Sequence, residues 1–427
     1  MPFLIGPMCK KLRSLKYLTE DNSVLNVNPK IVSIPLSVGS VEGEPLVNVG
    51  DKVKIGQMIA LASARFYVPF YASCSGEVIG IEKKMSARLK PCNHIVIKND
   101  FKDEKEYLEK TIDLNSSREE IIEFMKNIGL LGQGGAGFPA YIKYNTDKCK
   151  VLLINAVECE PYLTADIRNI NANLDDFYLG VKLLLKASNA EKCKIGIKEY
   201  HKHTIELLNN LFRNEENIEV CPVRDAYPYG WERTLVNALL NKRYDKLPIE
   251  VEAIVSNCTS AITLAKASSE RLPMYQRYVT VSGENINDPH DIFCRIGTSI
   301  KELIEMCGGV KVSPANILMG GPMMGTCVTK DEVCINTISN GVTIYKNEEI
   351  KPMSCLRCGQ CVEHCPSSLQ PCSINEAFKI NDVKRLEALH VLDCIECGMC
   401  TYICPSKIEV TENIRRAKRF YNLRRAK

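Results

Sequence analysis

Eight of the 21 cysteines fall in two copies of one spacing, Cys355-x2-Cys358-x2-Cys361-x3-Cys365-Pro366 and Cys394-x2-Cys397-x2-Cys400-x3-Cys404-Pro405. Three thiolates so spaced can grip three corners of one [4Fe-4S] cube, and the fourth turns away to ligate a second cube. The expected sets are Cys355, Cys358, Cys361 with Cys404, and Cys394, Cys397, Cys400 with Cys365. Two cubes held side by side pass electrons singly, so this is the chemistry of electron transfer. A zinc ribbon would show two cysteine pairs rather than two quartets each closed by Cys-Pro. The other 13 cysteines are scattered and read as small core residues. Cys372 lies between the quartets but outside both repeats, and His364 reads as a surface or outer residue rather than a ligand.

A second chemical signal is the glycine-rich run at 129–139, with Gly132, Gly134, Gly135 and Gly137 before Phe138 and Pro139. Such glycines let the backbone approach a phosphate or a flat ring, and successive N–H groups can form an anion-holding nest. The strict G-x-G-x-x-G after a strand is absent, so the common dinucleotide fingerprint does not apply. A helix over 118–128, capped by Ser116 or Ser117 with Glu119 and Glu120 in its first turn, leads into the run. A strand over 151–155 follows, ending in the acidic turn of Glu158 and Glu160.

The frame for these sites is a chain of 427 residues, which predicts roughly three domains at ~150 residues each. Its 45% hydrophobic and 25% charged residues are ordinary for a globular protein. Apolar runs stop well short of the ~18 residues that span a bilayer, so any membrane contact is expected to be peripheral. A net charge of +4 without interleaved aromatics argues against nucleic acid. The opening MPFLIGPMCKKLRSLKYL has no apolar core or cleavage site of a secretory signal, which points to a reducing cytoplasm and against disulfides. The basic end, Arg415, Arg416, Lys418, Arg419, Arg424, Arg425 and Lys427, reads as a solvated helix face or a dock for an acidic partner. Residues 31–100 read as short strands with Gly50, Gly56, Gly76 and Gly80 at turns, a small β-barrel. "VGDKVKIGQMI" and "SGEVIGI" resemble the two halves of a biotinyl or lipoyl carrier. No lysine lies between Lys54 and Lys83 to bear the prosthetic arm, so the barrel is expected to be an adaptor.

"GQGGAGFP", Lys143 and "NAVECEPY" together resemble the flavin site of the FMN- and NADH-binding subunit of respiratory complex I. The closer resemblance is to the RnfC family, a component of the Rnf electron-transport complex. It runs over nearly the whole chain, through "LLGQGGAGFPAYIK", "NAVECEPYLTADIR", "YPYGWERTL", "VSNCTSAI", "LMGGPMMG" and both cysteine quartets. The resemblance implies that Gly132, Gly134, Gly135 and Gly137 approach FMN, with Lys143 and Asn155 holding it and Asn257 and Thr259 reaching it from the other side. It places Glu158, Glu160 and Glu232 near a nicotinamide nucleotide, NAD(H), and Phe138 either on an aromatic ring or in the core. Two departures stand out. Val157 replaces an acidic residue of the complex I pattern, and the Gly-Gly-x-His-Pro stretch that opens RnfC chains is missing. Paralogues outside the membrane complex, such as the proline reductase-associated protein and cobalamin reductase, share the same parts.

The implied fold is multidomain α/β: an N-terminal segment (1–30), a barrel-sandwich adaptor (31–100), a complex I flavoprotein-like α/β FMN/NADH domain (115–270), a β-grasp SLBB-like module (274–340) and an α-helical double [4Fe-4S] ferredoxin domain (350–427). The implied function is oxidation of NADH through non-covalent FMN, with single electrons passed through two [4Fe-4S] clusters to an acceptor protein. The acceptor expected first is a partner reductase, of the proline reductase type or similar; the alternatives are the peripheral NADH-entry part of the membrane Rnf complex, a flavin-free relay, or a cobalamin reductase. A nicotinamide gives two electrons and a cube takes one, so a flavin is the natural converter. No acid, base or nucleophile is required. Residues 313–325 read as an interdomain turn or as a flap over the flavin.

Overall fold

The computed structural model describes residues 10–39, 41–87, 89–328 and 332–425. The first nine residues of the opening segment and Lys427 of the basic end lie outside them.

Alternating apolar residues put Val32, Ile34, Ile59, Val78, Ile95 and Ile97 into one core between two antiparallel sheets. One sheet orders Ile31–Pro35, Pro91–Asn99, Gly76–Met85 and Lys52–Val53; the other orders Glu44–Pro45, Met58–Ala62 and Val68–Tyr71. The hairpin between Met58–Ala62 and Val68–Tyr71 points its tip at the glycine-rich loop, where Phe66 meets Phe138 edge-on with centroids 5.5 Å apart.

Next comes a parallel sheet in the order Ile218–Val223, Lys192–Lys198, Val151–Ala156, Ala253–Asn257. Parallel strands are buried on both faces, which is why Leu152, Leu153 and Ile154 form an unbroken apolar run. Helices Leu174–Ser188 and Cys258–Ser269 cross so closely that the Ala261 carbonyl occupies the space a Cβ on Gly180 would need. Helix Arg118–Asn127 starts in a capping box: Ser117 Oγ accepts from Glu120 N, and the Glu120 carboxylate accepts from Ser117 N. The carboxyl ends of the strands, where open α/β sheets bind ligands, deliver Asn155, Glu158, Lys198 and Asn257 to one edge.

A mixed six-stranded sheet follows, with Gln276–Ser282 and Gly341–Lys346 at its centre and helix Ile300–Met306 packed on it. Its edge strand is Leu25–Val27, which pairs in parallel with His290–Arg295. The N-terminal segment is therefore woven into the body. Arg168 anchors it by donating to the carbonyls of Thr19, Glu20 and Asn22 and to the Asp291 carboxylate.

Helices Pro371–Lys379, Val383–Ala388 and Val410–Arg425 enclose a last small core of Ile374, Leu386, Val391, Ile414 and Tyr421, against which Cys361, Cys365, Cys394 and Cys404 pack. Residues 347–359, which lead into it, are all exposed. Among the described residues no helix is long and apolar enough to cross a membrane.

Candidate flavin and cluster sites

The glycine-rich loop closes on itself. Gly132 N donates to Phe138 O (2.8 Å) and Gly137 N to Gly132 O (3.2 Å). Its underside rests on the barrel, with Val38 and, from the turn before Gly341–Lys346, Ile338 against Gly137. Its upper side, Gly134 to Ala136, is exposed. Gly135 has φ +122°, and a Cβ there would meet nothing within 4 Å. That open, side-chain-free face fits a phosphate or a flat ring.

Around this face stand the expected partners. Asn257 lies beside Gly134, its Cβ 3.6 Å from where a Cβ on that glycine would be. It caps helix Cys258–Ser269 by accepting from Thr259 N (2.8 Å) and donates to Asp166 Oδ2 (3.0 Å). Thr259 Oγ1 donates to the other oxygen of Asp166 (2.9 Å). Asp166, which falls in the stretch NAVECEPYLTADIR but is not among the residues singled out from the sequence, thus orients both. Lys143 Nζ donates to Val255 O (3.1 Å) and reaches the Gly132 end of the loop. Asn155 is held by donating to Gly230 O (2.8 Å) and accepting from Val157 N (3.0 Å). Glu232 opens the helix Glu232–Leu240 and accepts from Tyr244 OH (2.9 Å). Phe138 packs on Phe66 of the barrel, so that contact belongs to the core side of its two expected roles.

The acidic turn is differently engaged. Glu158 is 5% exposed. Its carboxylate accepts from Asp166 N (3.1 Å) and faces Lys16 Nζ (3.5 Å), while Lys16 also donates to Leu163 O. Burial raises the Glu158 carboxyl and Lys16 opposes it. Removing one member of a buried pair leaves the other charge unpaired. Lys16→Ala should therefore cost about 3–5 kcal/mol in a denaturant titration, and adding Glu158→Gln to that variant should restore part of the loss.

Glu160 uses both oxygens on one loop: Oε2 accepts from Met323 N (3.0 Å) and Oε1 from Met324 N (2.8 Å). Burial raises this carboxyl to about 7 against the pull of those N–H groups, Lys16 and Lys198. A value raised in the folded state means the group's contribution to stability is full at low pH and is lost as pH rises towards 7. Glu160→Gln should remove a slope of up to about 1.4 kcal/mol per pH unit from the unfolding free energy between roughly pH 5 and 7. Equilibrium unfolding at several pH values measures it.

In the helical domain, Cys365 and Cys400 are electrostatic neighbours of Cys394 and Cys397, although Cys365 belongs to the other quartet. Backbone N–H groups already point at the sulfurs: Leu369 N donates to Cys365 Sγ (3.3 Å) and Glu396 N to Cys394 Sγ (3.4 Å), with Thr411 Oγ1 3.2 Å from Cys400 Sγ. Such bonds stabilise a thiolate and help set a cluster's potential. Burial, with the neighbouring thiols of Cys394, Cys365 and Cys361 adding to it, pushes the Cys400 thiol up to about 12. Part of the basic end is spent here. Arg415 and Lys418 both pair with Glu396 (3.1 and 2.6 Å), and Lys418 donates to Cys394 O (2.9 Å).

The other quartet is more open, with Cys355 and Cys358 exposed and Cys361 half-buried beside Cys355. Cys372, outside the repeats in sequence, also lies against Cys361. Among the described residues no three His, Cys, Asp or Glu side chains converge as they would on a single ion; ligands of a cube stand further apart. Cys397 joins Leu12, Tyr227, Met323 and Met399 in a small apolar cluster with Cys159 packed on it. The Cys394 set thus faces the acidic turn and the Cys355 set faces outward.

Four stretches of the chain match known families: residues 10–102 the RnfC Barrel sandwich hybrid domain, 125–266 the Nuo51 FMN-binding domain, 278–326 the SLBB domain and 347–405 the 4Fe-4S dicluster domain. The C component of the Na(+)-translocating ferredoxin:NAD(+) oxidoreductase complex of Acetobacterium woodii is 33% identical, covering 92% of this chain and 91% of its own. The chain belongs to the RnfC family. The C component of the proton-translocating ferredoxin:NAD(+) oxidoreductase complex of Clostridium ljungdahlii is 36% identical, over 77% of this chain and 74% of that protein. Among solved structures, a chain of the NAD+-reducing [NiFe]-hydrogenase superposes with a TM-score of 0.52 at 15% identity, over 71% of this chain and 61% of that one, a likeness of fold. The RnfC architecture of barrel, FMN domain, SLBB module and dicluster domain is the multidomain α/β fold expected. FMN and two [4Fe-4S] clusters, the cofactors of those domains, are what the glycine loop and the quartets fit.

Proposed function

We propose that this RnfC-family chain oxidises NADH at FMN and sends single electrons first to the cube of Cys394, Cys397, Cys400 and Cys365, then to that of Cys355, Cys358, Cys361 and Cys404, and so to an acceptor protein. FMN held there would supply the conversion between the two-electron chemistry of a nicotinamide and the one-electron chemistry of a cube. The chain's part is to hold and align. The glycine loop offers backbone to the phosphate and ring, Lys143 and Asn155 flank it, and Asp166 holds Asn257 and Thr259 opposite. Glu232 and the acidic turn border the nucleotide. The observation that carries the reading is the unbroken packing from the carboxyl edge of the parallel sheet, through the turn at Glu160 and Met323, to Cys397. The outer cube lies where Cys355 and Cys358 are exposed beside Met353 and Leu356, a face open to an acceptor.

The test is anaerobic stopped-flow with NADH, expecting bleaching of the flavin followed by cluster reduction. Protein with its full iron but no flavin after reconstitution would overturn the reading. Relatives named as parts of ion-translocating complexes favour a membrane complex as the acceptor, with this chain as its peripheral part. Gentle lysis should then leave it with the membrane fraction, and co-purification with a cytosolic reductase instead would point to the paralogous role.

A further inference from the structure

We propose that Glu160 is a positioning residue: with the loop at 320–325 it forms a latch that seats the inner cube against the flavin edge of the sheet. The inference deepens the electron path proposed above. Its footing is a chain of contacts running from one module to the next.

On one side, Glu160 leaves the central strand Val151–Ala156 on a short turn and presents both carboxylate oxygens to Met323 N (3.0 Å) and Met324 N (2.8 Å). Both oxygens of Glu160 are engaged on this one loop, and in its ionised form the two bonds are charge-assisted. The receiving loop is rooted in the mixed sheet. Gly320 N donates to Gly341 O (2.7 Å), Thr343 Oγ1 donates to Gly320 O (2.9 Å) and Gly325 N closes the turn on Gly321 O (2.9 Å). The fit is tight enough that a Cβ on Gly321 would overlap the Glu160 carboxylate.

On the far side of the same loop, the Met323 side chain packs with Cys397 and Met399. Gly398, at φ +79°, lies so close that a Cβ there would overlap the Met323 carbonyl. A second anchor comes from Tyr227, whose hydroxyl donates to Cys397 O (2.6 Å). The stretch that leads into the cluster domain, residues 347–359, is exposed throughout and buries none of its side chains against the other modules. Electron tunnelling falls steeply with distance, so the seat matters. The loop read from the sequence as an interdomain turn or as a flap over the flavin is in this arrangement a joint between the acidic turn and the inner cluster loop.

Two variants probe the latch from opposite sides. Gly321→Ala crowds the carboxylate, and Glu160→Gln keeps its shape but turns an amide N–H towards one of the two donors. Each should leave FMN and iron content unchanged, speed hydrogen exchange in 395–399 of the holoprotein by about tenfold, as expected for weakening one of the two bonds, and slow flavin-to-cluster transfer. In a Glu160→Gly background Gly321→Ala should add little, because the Cβ and carboxylate atoms of residue 160 that the methyl group would overlap are gone. Equal damage from Gly321→Ala in both backgrounds, or unchanged exchange in either variant, would overturn the latch. Should Gly321→Ala fail to fold, Glu160→Gln decides alone. The exchange measurement uses no NADH, so failure of the NADH reading and failure of the latch are told apart.

Discussion

Replacing Cys365 with serine should destroy the cube held by Cys394, Cys397 and Cys400 and spare the one held by Cys355, Cys358 and Cys361. By sequence distance the reverse would be expected, since Cys365 stands four residues from Cys361 and 29 from Cys394. Space overrules that count: the Cys365 sulfur lies among the thiols of the second quartet, with Leu369 N holding it there. Iron should fall from about eight to about four per chain. The electron paramagnetic resonance signal that survives should belong to the outer cube. Loss of the outer cube instead would show that each quartet ligates its own cluster. Because the inner cube stands first on the proposed path, the variant should still bleach its flavin with NADH while reduction of the remaining cube slows severely.

Gly135→Val should empty the flavin site without touching the iron. At φ +122° an L side chain is strained, and this one would stand in the open space over the loop where the flavin is proposed to lie. Acid release from anaerobically purified protein should give about one FMN per chain, and less than about a tenth of that from the variant, on the requirement that backbone itself meets the cofactor. Iron and the cluster spectra should remain as in the parent. Full flavin in the variant would mean that FMN binds elsewhere.

Both results rest on features legible in the residues themselves. The cysteine quartets, the glycine loop and the barrel's alternating strands each encode their chemistry within a dozen residues, where spacing alone sets geometry. The capping box of Ser117 and Glu120 is of the same kind. Other features carried no such mark. Lys16 looks like one surface lysine among many, yet it is buried beneath Glu158. Asp166 is one acidic residue of the stretch NAVECEPYLTADIR, yet it holds Asn257 and Thr259 together. Cys372 falls outside both repeats but lies against Cys361.

What the sequence by itself determined is which cofactors the chain can hold, because ligand type and local spacing are properties of short segments. What only the tertiary structure decided is who faces whom: Lys16 with Glu158, Glu160 with the backbone of Met323, Tyr227 with the carbonyl of Cys397. These pairs are 142, 163 and 170 residues apart. No local pattern encodes such pairings, since each depends on how the packed modules press together and on which buried polar group lacks a partner until another module supplies it.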